Sequence, residues 1–429
     1  MYRNIIKQLK EWKNKEHRKP LILAGARQVG KTYILTEFGK QEFENMAYIN
    51  CDDNNMAKDL FLQDYDMQRI ILAIGAITQQ NIIPGKTLII LDEIQEIKRG
   101  IAALKYFCEK APHYHVAVAG SLLGVTMHKG ESFPVGKVDV LNIYPMTFDE
   151  FILAKGKQQM VDILKSKDWN TIKLIRSEYI KLLREYYFVG GMPEAVQTFI
   201  ETNDAIKVRE IQKNILFTYQ KDMSKHVPSS EANRINMVWQ SMPSQLVKEN
   251  KKFIYGVAKP GGRAKDFETA IQWLMDAGLV YKAEKITEPK IPLKFYVDIS
   301  CFKLFLLDCG LLGALSETPA DRLLVANNGM EESKGAFTEN YVMSQLVATN
   351  DTSVFYFSND AKLEIDFIIQ HDSEVIPIEA KAEENLRAKS LSTFVKEHPH
   401  LHGIRFSMSD YRKQDWLTNV PLYAVSVYF

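Results

Sequence analysis

The stretch LILAGARQVGKTYILTEF, Leu21 to Phe38, decides the fold of the first part of this chain. Leu21 to Ala24 read as a short, wholly apolar strand. Gly25 opens a loop that Gly30 closes, Lys31 and Thr32 follow, and Tyr33 to Phe38 continue as a helix. The spacing is GxxxxGK[ST]. Glycines admit the backbone angles of a tight loop, whose N–H groups turn inward toward an anion at the positive end of the new helix. Lys31 then reaches the β- and γ-phosphates of a nucleotide, and the Thr32 hydroxyl is offered to Mg2+. Gly25, Ala26, Arg27, Gln28, Val29, Gly30, Lys31, Thr32 and Tyr33 are the expected ATP-binding residues, and Lys31 also counts as catalytic. The competing account, a plain glycine turn, is disfavoured by the strand before the loop and the helix after it.

Outward from this loop, KTLIILDEIQEI places four apolar residues, Leu88 to Leu91, before Asp92 and Glu93. That is a buried strand with acids at its C-terminal end, where parallel α/β sheets place their ligands. Asp92 is suited to hold hydrated Mg2+, and Glu93 to orient and polarise an attacking water. A third strand, HVAVAGS, ends in Ser121, which either touches the γ-phosphate or the water as a sensor or simply begins a loop. MAYINCDD and VDVLNIYP supply further strands, and MQRIILAIGAITQQ and GIAALKYFCEK read as helices between strands. Alternating strands and helices imply a parallel sheet with helices on both faces.

The bulk numbers are those of an ordinary globular chain. It has 429 residues, 46% hydrophobic and 25% charged, enough for about three domains at ~150 residues each. A net charge of +1 gives no global field toward nucleic acid or acidic membranes. Its four cysteines fall in no CxxC or zinc spacing, so free thiols in a reducing cytosol are expected. Residues 1–20 are amphipathic and too polar for a secretory signal. No apolar run approaches the ~18 residues of a membrane span. A cytoplasmic protein without a membrane partner is expected.

The motifs GARQVGKT (Gly25–Thr32), LDEIQ (Leu91–Gln95), AGS (Ala119–Ser121) and YPMTFDEF (Tyr144–Phe151) resemble the AAA+ superfamily of P-loop ATPases, and more closely one prokaryotic group within it. The resemblance spans nearly the whole chain and implies ATP hydrolysis with Mg2+. That group carries a C-terminal domain of uncharacterised function. Past residue 161 the pattern turns helical. Gly190–Gly191 and Pro193 mark a sharp turn between packed helices. By resemblance to the GxP turn in the lid of related signalling ATPases, Gly191–Met192–Pro193 would place Pro193 near the adenine.

A different grammar follows. EANRINMVWQSM and PSQLVKEN read as short helices, DFETAIQWLMDAG as a helix, and LVYKAEKI and LKFYVD as the strands of a wing. This order looks like a winged helix-turn-helix. Lys248, Lys251, Lys252, Lys259, Arg263 and Lys265 precede or open its last helix, as phosphate contacts on duplex DNA or as a solvated basic loop. No arginine finger can be named.

The last region, with helix GAFTENYVMSQLVA, strands VFYFS, LEIDFIIQ and EVIPIEAKA, helix LRAKSLSTFVKEH and strand GIRFSM, resembles the core of restriction-endonuclease-like nucleases. Matched residue by residue, Asp366 takes the first acid, Glu379 and Lys381 the (D/E)xK, and Glu339 the preceding helical acid. Residues two apart on a strand share a face, and neighbouring strands lie ~4.8 Å apart. Crowded carboxylates repel unless a cation sits between them, so Asp366 and Glu379, with Glu339, form an expected metal set. The same residues could instead neutralise one another with Lys381 as a buried ion pair.

The expected fold class is α/β: a P-loop AAA+ parallel sheet (1–160), an all-helical lid (161–226), a winged-helix-like domain (227–330) and an α/β restriction-endonuclease-like domain (331–429). The expected function is ATP hydrolysis that drives or gates a DNA-related activity, with a metal-dependent nuclease-like last domain. The alternative is an ATP-gated switch that contacts a protein partner and whose last domain is catalytically inactive. A third reading is a defence or toxin–antitoxin component. The sequence does not give an oligomeric state.

Overall fold

The computed structural model describes residues 1–121, 133–225, 227–248, 252–324, 331–350, 353–359, 363–383 and 388–429. The chain divides into two compact units, Met1–Tyr144 with Asp276–Gly278, and Pro145–Met275 with Leu279–Phe429.

The first unit is built on five parallel strands: β1 (Leu21–Gly25), β2 (Asn45–Asn50), β3 (Thr87–Asp92), β4 (His115–Ser121) and β5 (Asp139–Asn142), in the order β2-β3-β4-β1-β5. β1 and β3 are buried along their whole length, as strands are when helices cover both faces of a parallel sheet. On one face Ile22, Ile89, Leu91 and Val118 pack with Ile70 and Ile74 of the helix Met67–Thr78 and with Leu104 and Phe107 of the helix Gly100–Lys110. The helix Lys31–Glu42 packs on the sheet through buried Ile34, Leu35 and Phe38. β4 lies between β1 and β3, pairing Gly25 with Ser121 and Asp92 with Ala119. The loop after β1 and the acids after β3 are thus held two strand spacings apart, roughly 10 Å. A Cβ on Gly25 would lie 2.3 Å from the Ile143 carbonyl oxygen, so the segment leaving β5 can approach β1 only because this residue is glycine.

The second unit begins with helices. Phe148–Ala154 is opened by a capping box between Thr147 and Glu150. Arg176–Val189 ends at Gly190, and Pro193–Thr202 restarts the chain, as the Gly-Gly-x-Pro spacing implies. The turn is pinned from two sides. Gly191 N–H donates to Asp308 Oδ2 at 2.5 Å, and Met146 N–H donates to the Gly191 carbonyl at 2.7 Å. Buried Asp308 also caps the helix Cys309–Leu315 by accepting from Leu311 N–H at 2.8 Å. Burial pushes its carboxyl up to about 6, against the opposing pull of backbone N–H groups from Gly191, Leu311 and Gly310.

Three features differ from the sequence expectation. The two short helices expected after residue 230 are one helix, Ser229–Leu246, with Pro243 inside it. The buried stripe of Ile235, Val238, Trp239, Met242 and Leu246 carries the helix past the proline. The second wing strand starts late. Leu293–Tyr296 forms a 3₁₀ turn, and β7 runs from Val297 to Leu306, antiparallel to β6 (Val280–Ile286). The hairpin is also not a free wing, because β6 pairs in parallel with β8 (Val354–Ser358) through Glu284–Phe355, Lys285–Tyr356 and Ile286–Phe357. With β9 (Glu364–His371), β10 (Glu374–Ala380), β11 (Gly403–Ser407), β12 (Arg412–Lys413) and β13 (Leu417–Pro421) the hairpin makes one eight-stranded mixed sheet, ordered β12-β13-β11-β10-β9-β8-β6-β7. Ile286 and Leu293 of the hairpin share a core with Phe355, Ile365, Leu391 and Phe394. A single sheet therefore runs across the expected boundary at residues 330 and 331.

Within that sheet the order helix Glu331–Thr349, β8, β9, β10, helix Lys389–Glu397, β11 follows the α-β-β-β-α-β reading. The class is α/β: a parallel sheet with helices, a helical region, then a mixed-sheet domain. Among the described residues no helix is long and apolar enough to cross a membrane.

Candidate functional site

The loop after β1 has the backbone its sequence demands. Gln28 and Gly30 both lie in the left-handed region, at φ 65° and 95°. Gly30 immediately precedes the helix Lys31–Glu42, whose first N–H groups lack partners within the helix. Val29 is fully buried. Its carbonyl accepts from Arg3 Nη1 at 3.0 Å, and Arg3 Nη2 also donates to the Tyr144 carbonyl at 2.6 Å. Buried Arg3 thus ties the loop to the end of the sheet.

The Lys31 side chain is folded back onto the loop. Its ammonium donates to the Gly25 carbonyl at 3.0 Å and to the Ala26 carbonyl at 2.8 Å. Burial lowers its pKa from 10.5 to about 8; Glu93 and Asp92 oppose the fall, and the positive charge of Arg27 adds to it. Thr32 Oγ1 donates to Asp92 Oδ2 at 2.7 Å, and Tyr48 on β2 donates its hydroxyl to the same oxygen at 3.0 Å. Glu93 follows in the left-handed region at φ 52°, with its N–H donating to the Ala119 carbonyl at 2.9 Å. Its Oε2 accepts from Gln95 Nε2. Burial, then the charges of Asp92 and Glu93, push the nearby Cys51 thiol up to about 12.

Lys31, Thr32, Asp92 and Glu93 therefore converge. Tyr33 sits in the first helical turn with an exposed side chain. Ser121 ends β4 between the loop and the acids, and its side chain lies outside the described residues. Pro193 opens the helix Pro193–Thr202 of the second unit. Sequence reasoning missed Arg3, Tyr48 and Gln95. The Tyr48–Asp92 bond depends on how β2 registers against β3, which no local spacing reveals.

The acid set of the last domain carries lysines among its carboxylates. Among the described residues, no three His, Cys, Asp or Glu side chains group closely enough to hold a metal ion. Asp366 Oδ2 accepts from Ala380 N–H at 2.9 Å, and Glu379 Oε1 pairs with Lys381 Nζ at 2.9 Å. Burial raises the Glu379 pKa, Lys381 opposes this, and Asp366 raises it further. Glu379 Oε2 is buried without a hydrogen-bond partner among the described residues. A second lysine, Lys303 on β7, is wholly buried and bonds Glu364 Oε1 at 2.5 Å. Burial pulls its ammonium down, but Glu339, Glu364 and Asp366 outweigh burial and hold the pKa above the ordinary value. Lys381 is held up in the same way by Glu379, Asp366 and Glu339. Of the expected Asp366–Glu379 metal set with Glu339, Glu379 is paired with Lys381, while Lys303 is paired with Glu364. The missed signal was the lone lysine in CFKLFLL, since a charge inside an apolar strand needs partners.

Residues 17–152 match the AAA domain family. Residues 180–322 and 334–425 match two domains of unknown function, DUF8612 and DUF4143. No curated protein matches the chain. Among solved structures, a Walker-type ATPase of Pyrococcus abyssi is 13% identical, with 72% of this chain and 94% of that chain covered and a TM-score of 0.45. The Aeropyrum pernix ORC1 protein in complex with DNA is also 13% identical, with 76% and 95% covered and a TM-score of 0.30. Likenesses this distant carry no argument about the chain. The AAA match, together with the strand–loop–helix at Gly25–Thr32, makes the first unit a P-loop AAA-type ATPase domain that binds ATP.

Proposed function

We propose that the first unit hydrolyses ATP with Mg2+ and that its nucleotide state gates what the rest of the chain engages. The observation that carries this is the 2.7 Å bond between Thr32 Oγ1 and Asp92 Oδ2, placed beside a buried ammonium that the Gly25 and Ala26 carbonyls hold. A hydroxyl and a carboxylate are hard oxygen donors that suit Mg2+. Bound there, the ion would neutralise phosphate charge. The loop N–H groups from Gly25 to Gly30 cradle the phosphates, and Lys31 exchanges the Gly25 and Ala26 carbonyls for phosphate oxygens. Glu93, oriented by Gln95, accepts a proton from the attacking water, and Ser121 is the sensor at the end of β4. In Glu93→Gln, ATP binding is expected to persist while hydrolysis falls about 100-fold or more. Hydrolysis at the wild-type rate in that variant would remove Glu93 from the chemistry.

The DNA-related reading rests on the helix, short helix, helix, hairpin order from Ser229 to Leu306. Lys259, Arg263 and Lys265 cluster before and at the start of the helix Ala264–Asp276 and make no ion pair among the described residues. An open cavity of about 350 Å³ beside them is lined by Arg234, Lys259 and Gly261. Duplex DNA held through these cations would be released steeply by salt.

A second reading, an ATP-gated switch with a catalytically inactive last domain, is favoured by one observation. Glu364 and Glu379 of that domain are each paired with a lysine, Lys303 and Lys381.

A further inference from the structure

Tyr48 belongs to none of the motifs around the nucleotide site, yet it touches the acid expected to hold Mg2+. In the pairing of β2 with β3, Tyr48 lies opposite Ile90 and Asn50 opposite Asp92. Side chains alternate along a strand. Ala47 and Ile49 are buried in the core on one face of the sheet, with Ile89 and Leu91. Tyr48 and Asp92 therefore share the other face, one diagonal step apart, which is within reach of an aromatic side chain. The Tyr48 hydroxyl donates to Asp92 Oδ2 at 3.0 Å, the same oxygen that accepts from Thr32 Oγ1 at 2.7 Å. The other oxygen, Oδ1, accepts from Glu93 N–H at 3.1 Å. Asp92 is buried, and Tyr48 is half-buried. Oδ2 is thus gripped from two elements, the helix Lys31–Glu42 and the strand β2. Thr32 has to share its hydroxyl oxygen with Mg2+, whereas Tyr48 has no such second duty.

We infer that Tyr48 is a positioning residue for the metal: its hydroxyl fixes the Asp92 carboxylate in the orientation that receives Mg2+ beside the nucleotide. The inference rests on the Mg2+ reading proposed above and adds to it a residue of β2. Partners that orient a metal-binding group typically change metal affinity by about 10–100-fold.

The test is the calorimetric affinity of the full chain for a non-hydrolysable ATP analogue, adenylyl imidodiphosphate, measured once with MgCl2 and once with EDTA. The ratio of the two Kd values is the strengthening that Mg2+ confers, and it needs no hydrolysis. In Tyr48→Phe, which keeps the ring and loses the hydroxyl, that ratio is expected to fall about tenfold, while the Kd in EDTA stays as in the parent. A role confined to packing would shift both Kd values together or neither. An unchanged ratio in Tyr48→Phe would therefore overturn the inference, as would equal weakening with and without Mg2+. Failure of Tyr48→Phe to fold would show that the hydroxyl serves the fold, and would overturn it too. A parent chain that binds the analogue equally in MgCl2 and EDTA would refute the Mg2+ reading itself, and the inference with it. The parent's own ratio tells these failures apart.

Discussion

Lys31 makes ATP binding pH-dependent in a way that can be worked out. Its ammonium is buried, held by two loop carbonyls, and burial pulls its pKa down from 10.5 to about 8. At about 1.4 kcal/mol per pKa unit, that fall amounts to roughly 3 kcal/mol of strain on the charged form. The unfolded chain holds this proton up to a higher pH than the folded one, so stability rises with pH between the two values. Triphosphate oxygens beside the ammonium favour the charged form and lift its pKa again. Binding then takes up a proton: about 0.1 per ATP at pH 7, about 0.5 at pH 8 and about 0.9 at pH 9. The Kd should weaken about tenfold between pH 7 and pH 9. Isothermal titration with a non-hydrolysable ATP analogue and Mg2+, in two buffers of different ionisation heat, measures proton uptake and Kd together. Lys31→Arg is the control, since guanidinium stays charged throughout. A Kd flat across this range with no proton uptake at pH 8 would refute the reasoning; the uptake expected there is about 0.5.

Two further outcomes follow from the packing. Gly25→Ala would press a methyl group against the Ile143 carbonyl, 2.3 Å from its oxygen, and should cost about 1–3 kcal/mol or more in thermal unfolding as β5 is pushed from β1; an unchanged Tm would show that the segment yields freely. Asp308 titrates at about 6 against an ordinary 3.8, so its contribution to stability is complete below the lower value and lost as pH rises through the upper one. Denaturant unfolding should show the free-energy gap between wild type and Asp308→Asn shifting by about 2 kcal/mol between pH 4 and pH 6, and a constant gap would count against the raised pKa.

What the sequence disclosed was mostly local. The glycines, Lys31 and Thr32 lie within eight residues of Gly25, and that spacing alone specifies strand, loop and helix. The apolar run before Asp92 likewise announces a buried parallel strand. Glu379 and Lys381 share a face because strand geometry makes it so. Register and long-range closure were not disclosed. Tyr48 meets Asp92 only through the pairing of β2 with β3. Lys303 meets Glu364 across 61 residues. The helix through Pro243 persists because its buried stripe outweighs a local breaker. The hairpin read as an independent wing because its turn and alternation are complete in themselves. The parallel ladder to β8, the Lys303–Glu364 bond and the core around Ile286 and Leu293 join it to the rest.

That ladder has a mechanical consequence. The hairpin tip exposes Phe295 and Ile299, each 81% accessible, and offers a handle on the outermost edge of the sheet. A load applied there does not peel off an appendage. It is transmitted in series from β7 through β6 and β8 to β9, the strand that carries Glu364 and Asp366.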